Sequence, residues 1–427
     1  MITLKRALGR WDLTALGVNQ VIGGAIFIWP AQVAAQIGAW SPVGFVLIGC
    51  LSLSVALCFA ELSSRFDATG GPYLFARAAF GDFIGFEIGW MQWFSRATSQ
   101  ASIMAATAVA LGYYWPALTT GLPRAAFLIG LTLIFGGINV SGVRQSSTVV
   151  NVLTIGKLVP LALFIVVGIA YVDPARLTTL PPITLQQSLA AGLLLIFVYG
   201  GYEVVPVPAG ESLDPQRDIP FAMVATIVSV MIVMTLTQIV AQGVLPDLAG
   251  HATPIADAAA AFMGATGALV IGVGSVVSMT GNNAGQVLSG SRMLFALAEQ
   301  GQLPRFLARI HPRYRTPANA IVFTSAVALA LALSGSFAQI ALVSALARLL
   351  MYGGSAAATL RLRSQAMAGT VKPAGFVAPL GPAMPLLAIG VCIGLAAGAT
   401  KDQLLGGLAA LSIGAVLFLF SKSAKSR

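Results

Sequence analysis

Long apolar segments recur along the whole chain and are separated by short polar stretches that hold most of the charged residues. A helix of about 20 apolar residues crosses the roughly 30 Å hydrocarbon core of a bilayer. Matching the apolar runs to this length predicts about twelve transmembrane helices. The predicted spans are 13–38, 42–62, 83–115, 124–142, 149–172, 188–209, 221–244, 266–298, 317–334, 337–360, 380–399 and 403–421.

Composition supports an all-α polytopic membrane protein. Hydrophobic residues make up 57% of the chain and charged residues 9%, and the mean hydropathy is +0.87. Soluble domains carry about 25% charged residues, so a water-soluble fold is excluded. A membrane β-barrel is disfavoured because its strands give short alternating segments.

The net charge of +10 does not indicate a nucleic-acid partner, because the basic residues are spread over loops between apolar runs. Most of them fall in alternate loops when the amino terminus is placed in the cytoplasm. This positive-inside pattern predicts a multi-pass protein of the cytoplasmic membrane with both termini in the cytoplasm. The expected surroundings are membrane lipid, and the sequence leaves the oligomeric state open.

Two predicted spans contain paired glycines in mid-helix. The first span holds residues 21–27 (VIGGAIF), and the sixth holds residues 198–203 (VYGGYE). Each glycine costs roughly 1 kcal/mol relative to alanine in a helix, and a broken helix releases backbone groups that hydrocarbon cannot satisfy. The breaks therefore predict a cavity or ligand site, with close helix packing at the glycines as the alternative.

The spacing of the breaks predicts an internal repeat. They lie in the first and the sixth span, five positions apart, so the two broken helices cross the membrane in opposite directions. An inverted 5+5 repeat has this arrangement. The repeats would cover about 10–172 and 188–363, with the last two helices at about 380–421 outside them, all within one transporter domain, 1–427.

These motifs resemble those of the amino acid, polyamine and organocation (APC) superfamily over roughly residues 10–365. Residues 22–27 are similar to its I-G-S-G-I-F break, and residues 201–203 to the G-x-E that ends its sixth-span break. Further matches are residues 61–73, 291–304 and 316–317. In two departures, Gly24 replaces a frequent serine and Ala25 replaces the second glycine. The resemblance implies a LeuT-like (APC) fold with helices 1 and 6 interrupted.

An amino acid substrate gives the breaks a physical role. Free N–H groups around Gly23, Gly24 and Ala25 would bind the substrate carboxylate at the start of a half-helix. Free carbonyls near Val21 and Phe197 would accept hydrogen bonds from its ammonium. The side chains of Gln100, Tyr199 and Tyr202 are expected to contact the variable part of the substrate. Gly200, in the second break, is predicted to belong to the same site.

Ionisable residues at membrane depth are expensive to insert and are functional candidates. Lys157 matches a fifth-helix lysine of several APC branches, where the resemblance implies that its ammonium stands in the place of sodium. It is a candidate coupling residue that either exchanges a proton during the transport cycle or acts as a fixed positive tether between the two halves. Glu203 follows the second break and is a candidate for gating, titration or structural pairing. Arg96 is either a counter-ion for the substrate or a partner of Glu87 or Glu203. Arg348 is assigned to coupling or to a structural role.

The resulting prediction is a sodium-independent amino acid permease working by alternating access, compatible with proton coupling or exchange. Two alternatives stay open: a carrier or exporter of polyamines or other amines, and a sensor that binds substrate without transporting it. No His, Cys or carboxylate cluster has metal-site spacing, and no nucleophile has a histidine partner nearby in sequence. Neither a catalytic activity nor a cofactor is therefore predicted.

Overall fold

The computed structural model describes residues 4–112, 115–334, 337–364, 367, 369–398 and 401–425. These residues form helices joined by loops and turns, with one isolated parallel bridge between Leu8 and Ser212. The α-helices are α1 (Arg10–Val21), α2 (Trp29–Ile37), α3 (Ser41–Ser63), α4 (Pro72–Phe80), α5 (Asp82–Gly112), α6 (Gly121–Ser141), α7 (Val143–Gly168), α8 (Ala175–Thr178), α9 (Leu185–Tyr199), α10 (Pro215–Val244), α11 (Pro254–Glu299), α12 (Ala318–Ser334), α13 (Phe337–Arg363), α14 (Ala383–Ala396) and α15 (Lys401–Lys425).

Short 3₁₀ turns connect several of these helices. They are Ala25–Phe27, Gly38–Trp40, Pro116–Thr119, Ile169–Tyr171, Tyr202–Val204, Ala209–Glu211, Leu248–Gly250 and Arg305–Ala308. The first and the fifth of these turns lie inside the predicted breaks, so both glycine pairs end an α-helix as expected.

Seven segments of the described chain are long and apolar enough to cross a membrane. They are Trp29–Ser63, Gly121–Ser141, Val143–Tyr171, Leu185–Val204, Pro215–Val244, Pro254–Glu299 and Leu404–Ser421. Ala318–Ser334 and Ala383–Ala396 are shorter apolar helices. The chain is thus polytopic, while twelve spans and an inverted repeat stay predictions. Residues 1–3, 113–114, 399 and 426–427, which belong to predicted spans or to the ends of the predicted domain, lie outside the described residues.

Two differences from the predicted spans have local causes. The helix α4 was not predicted, because its nine residues are too few to cross a bilayer. It buries one face, including Tyr73 and Phe75, and packs against α5. The 46 residues of α11 form two helical stretches that meet at a kink at Gly264, where φ is +64°, and the predicted span covers only the second stretch.

The broken first helix lies among longer ones. α1 packs against α7, α10 and α11, while α3 packs along α10 and α5 packs along α11 and α13. At the end of α3, Glu61 accepts hydrogen bonds from Nε of Arg363 at 2.8 Å and from the backbone N–H of Ala378 at 2.9 Å. These contacts hold the loop after α13 against the end of α3.

Candidate functional site

The first break is an irregular segment held by the middle of α11. α1 ends at Val21 and α2 begins at Trp29. Ser278 of α11 donates its hydroxyl to the carbonyl oxygens of Ile22 at 3.2 Å and Gly23 at 3.0 Å. Carbonyls released by the break therefore receive a donor from a neighbouring helix, as a buried polar backbone requires.

Three backbone N–H groups at this break remain without an acceptor. Those of Gly24, Ala25 and Ile26 donate no hydrogen bond within the described part of the chain. The prediction included Gly23, and there it was wrong, because the Gly23 N–H donates to the carbonyl of Val21 at 2.9 Å. That tight turn also occupies one of the two acceptor positions of the Val21 carbonyl. The N–H groups without an acceptor consequently begin one residue later than expected.

The second break directly abuts the first. α9 ends at Tyr199, and Gly201 has a φ of +138°, a conformation that side chains rarely adopt. A Cβ on Gly201 would lie 2.6 Å from the carbonyl atoms of Gln20 and 2.8 Å from the backbone nitrogen of Val21. Glycine is therefore required at this position for the two broken helices to touch.

A cavity of about 280 Å³ lies where the two breaks meet. Its walls come from both breaks, from α5, from α11 and from α13. The predicted residues among its lining are Val21, Gly23, Gly24, Ala25, Phe197, Gly200 and Arg348. Most of the backbone half of the predicted site is thus assembled around one cavity.

The predicted side-chain readers of the substrate lie elsewhere. Tyr199 is buried and donates its hydroxyl to the carbonyl of Phe45 at 2.8 Å. Tyr202 stacks on Tyr352 with ring centroids 5.3 Å apart. Gln100 is 2% exposed and its Oε1 has no partner in the described residues. None of the three predicted readers lines the cavity, because their helix faces turn towards neighbouring helices.

Other residues provide the cavity's side chains, and the sequence reasoning missed them. They are Gln20, Ile28, Trp29, Ser99, Ser102, Ile103, Ala106, Val198, Met279, Asn282 and Gln286. A signal existed for the polar ones on α11, since amides inside an apolar span are expensive and mark interior faces. The amide oxygens of Gln20 and Gln286 are buried without a donor in the described chain.

Beside the cavity, Glu203 is the centre of a buried charged cluster. Its Oε1 lies 2.6 Å from Nη2 of Arg96 and 3.8 Å from Nε of Arg348. Its Oε2 accepts from the N–H of Gly201 at 2.7 Å and from the hydroxyl of Tyr352 at 2.8 Å. Arg96 and Glu203 are both fully buried. Arg96 therefore has a buried carboxylate partner in Glu203, while its role as a counter-ion for the substrate stays a prediction.

Lys157 of α7 joins the first break to α11. Its Nζ donates to the carbonyl oxygens of Asn19 at 3.1 Å, Ile22 at 2.7 Å and Ser278 at 3.2 Å, and also to Oδ1 of Asn19. Lys157 is completely buried. Neutral oxygens surround this amine, with no carboxylate among its described partners, so it bridges three helices around the released carbonyls.

Arg348 of α13 reaches the end of α9. Its Nη1 lies 3.3 Å from the carbonyl oxygen of Phe197, and its guanidinium carbon lies 4.9 Å from the centre of the Phe197 ring. The same carbonyl accepts from the N–H of Gly200 at 3.0 Å. The prediction of a free Phe197 carbonyl for the substrate ammonium was therefore wrong, because the protein supplies both donors.

Comparison with known proteins identifies similar chains. Residues 8–418 match the family model described as amino acid permease. A serine/threonine exchanger of Bacillus subtilis (strain 168) is 30% identical over 405 residues, 90% of this chain and 89% of that protein. A methylthioribose transporter of the same organism is 27% identical over 414 residues, covering 92% and 88%. Its branched-chain amino acid permease is 28% identical over 447 residues, covering 98% and 94%.

Proposed function

The chain belongs to the amino acid permease family, and we propose that it is a secondary active transporter of amino acids that works without sodium. It is a multi-pass membrane protein and a transporter, not an enzyme. The proposal places it in the cytoplasmic membrane with both termini in the cytoplasm. Its relatives are named for serine and threonine, branched-chain amino acids and methylthioribose, so membership alone does not identify the cargo.

The observation that carries the proposal is the cavity between the two abutting breaks. The N–H groups of Gly24, Ala25 and Ile26 have no acceptor among the described residues and precede α2, whose dipole favours a carboxylate at its amino-terminal end. Amide oxygens of Gln20 and Gln286 offer acceptors for an ammonium group. A small zwitterion meets complementary groups on two sides of this cavity.

Lys157 supports sodium independence. Its amine lies among four oxygen atoms contributed by Asn19, Ile22 and Ser278. Oxygen atoms are the ligands that hard cations take. Because a side chain of the protein itself fills this group of oxygens, a sodium ion has no vacant place there.

Transport is proposed to proceed by alternating access, with the twelve-helix topology and inverted repeat of the predicted fold. The charged cluster of Arg96, Glu203 and Tyr352 lies next to the second break. Arg96 precedes the cavity-lining Ser99 by one helical turn on α5. We assign the cluster to closure of the cavity at that end, with Glu203 as a gating residue.

Uptake of labelled amino acids into liposomes containing the purified protein tests the proposal. We expect accumulation or exchange that is unchanged when sodium is replaced by choline. A pH gradient and an unlabelled amino acid on the opposite side separate proton coupling from exchange. Binding without uptake would favour the sensor alternative, and uptake confined to polyamines would favour the amine carrier.

A matched pair of variants on α5 tests whether the cavity is the site. Ser102 lines the cavity, whereas Val109 is 63% exposed on the surface of the same helix. Ser102→Trp is expected to reduce uptake about ten-fold or more, because the indole side chain would occupy space in the cavity of about 280 Å³ that the substrate needs. Val109→Trp is expected to leave uptake unchanged. Equal uptake by both variants would place the substrate site elsewhere.

A further inference from the structure

We propose that Arg348 forms an anion subsite in the cavity and that the transported amino acid carries a second carboxylate in its side chain. This substrate class rests on the proposed amino acid transport. The guanidinium of Arg348 contacts the carbonyl of Phe197 at 3.3 Å and lines the cavity.

The end of α9 is unsuited to a substrate ammonium. Both hydrogen bonds that the Phe197 carbonyl can accept are taken, by Gly200 at 3.0 Å and by Arg348 at 3.3 Å. A second cation at this carbonyl would lie against the guanidinium, and like charges repel strongly where water is excluded. The ammonium must therefore bind in another part of the cavity.

Gly200 is the residue that lets Arg348 reach this position. A Cβ at residue 200 would lie 2.2 Å from Nη1 of Arg348, which is far inside van der Waals contact. The guanidinium is also stacked over the Phe197 ring at 4.9 Å, a favourable cation–π distance. The second break thus leaves space for the arginine side chain at Gly200 and provides the Phe197 ring for it to stack on.

The charge around the cavity is unbalanced. Arg96 and Arg348 share one carboxylate, Glu203, and neither pairs with a second carboxylate in the described residues. Glu203 is 2.6 Å from Arg96 but 3.8 Å from Arg348, so it mainly neutralises Arg96. Nε of Arg348 is buried without a hydrogen-bond partner among the described residues. Two buried guanidinium groups that share one carboxylate leave an excess positive charge, which is costly to bury, and an anion from the substrate would compensate it.

Three subsites then match one class of molecule. The N–H groups at Gly24 and Ala25 suit an α-carboxylate, and the buried amide oxygens of Gln20 and Gln286 suit an α-ammonium. Arg348 remains for a further acidic group. An amino acid with a neutral side chain leaves the guanidinium uncompensated, and one with a basic side chain is repelled by it. Acidic amino acids use all three subsites.

Pairs of ligands that differ only in one charge test the inference. Aspartate with asparagine, and glutamate with glutamine, are compared as competitors of uptake and by thermal shift of the purified protein. We expect the acidic member of each pair to bind about ten-fold or more tightly, as a charge-assisted hydrogen bond implies. Lysine is expected not to compete. Succinate, which lacks the ammonium, is expected to bind more weakly than aspartate.

Arg348→Gln is expected to reduce the affinity for aspartate about ten-fold while changing that for asparagine by about two-fold at most. Arg348→Lys keeps the charge and should retain part of the preference. Gly200→Ala should displace the guanidinium and weaken the preference without removing a charge. Arg361→Gln is the control, because Arg361 is an exposed arginine on the same helix.

The outcomes separate the substrate class from transport itself. Uptake of neutral or basic amino acids with no preference for the acidic ones overturns the anion subsite and leaves the transport proposal standing. A gain of affinity for neutral amino acids in Arg348→Gln also overturns it, since the arginine would then merely block an ammonium subsite. Tighter binding of succinate than aspartate overturns the ammonium position. Binding of no amino acid, acidic ones included, overturns both proposals.

Discussion

The amine of Lys157 on α7 lies 2.7 Å from the carbonyl oxygen of Ile22, which the first break releases from α1. A polar backbone group at membrane depth needs a donor from elsewhere in the fold. Here the donor is a side chain 135 residues away along the chain. The break in α1 therefore supplies an acceptor for the buried lysine, and the lysine supplies the donor that the released carbonyl needs.

Lys157→Met is expected to lower the free energy of unfolding by about 1–3 kcal/mol, because the carbonyl of Ile22 and the side chain of Asn19 lose a buried donor. Transport is expected to fall about ten-fold. Thermal unfolding and liposome uptake measure the two effects. Lys372→Met is the control, since Lys372 pairs with Asp67 at an exposed site. Full transport by Lys157→Met would contradict the bridging role.

Glu203→Gln is expected to destabilise the protein by about 3–5 kcal/mol, because it leaves the buried guanidinium of Arg96 without a charged partner. The double variant Arg96→Gln with Glu203→Gln removes both charges and should recover part of that loss. Tyr352→Phe deletes one hydrogen bond to Glu203 and should cost only about 1 kcal/mol. Melting temperatures in one detergent give the ranking. A double variant no more stable than Glu203→Gln would show that the pair is not the cause.

Gly201→Ala is expected to abolish transport. The added methyl would overlap the backbone of Gln20 at 2.6 Å, and backbone cannot move aside as a side chain can. A positive φ adds roughly 1–2 kcal/mol of strain for alanine. Gly137→Ala on α6 is the matched control, because nothing lies within 4 Å of its added Cβ. Uptake at the normal rate by Gly201→Ala would mean that the two breaks do not need to touch.

The loop pair Asp67 and Lys372 predicts a small pH dependence outside the membrane. The hydrogen bond from Lys372, 2.8 Å long, lowers the pKa of Asp67 below its usual value. A lowered carboxyl pKa stabilises the fold above the unfolded-state value of about 3.9, and the contribution is lost as the pH falls through the folded-state pKa. Both side chains are about half exposed, so solvent screening limits the effect to about 0–1 kcal/mol.

This dependence is measured as the difference in melting temperature between the natural protein and Lys372→Met. The difference should be constant from about pH 8 to pH 5 and should close below about pH 4. A difference that instead grows on acidification would contradict the assigned ion pair.

The predicted ends of helices at the glycine pairs were correct for a local reason. Two adjacent glycines weaken a helix wherever it packs, so Gly23 and Gly200 mark breaks without knowledge of any neighbour. The depth of Lys157 in its apolar run was readable in the same way. The side chains that contact the substrate could not be predicted from the sequence. The directions in which the side chains of Tyr199 and Gln100 point depend on how α9 and α5 are rotated against other helices.

The sequence by itself determined the membrane class, the positions of the two breaks and the presence of three cations at membrane depth, because hydropathy and glycine content are local properties of the chain. Only the tertiary structure decided their partners. Arg96 meets Glu203 across 107 residues and Arg348 meets Phe197 across 151, pairings that depend on which helix faces turn inward. The same packing brought Gln20 and Gln286 to one cavity and left the amides at Gly24 and Ala25 without an acceptor among the residues that the structure describes.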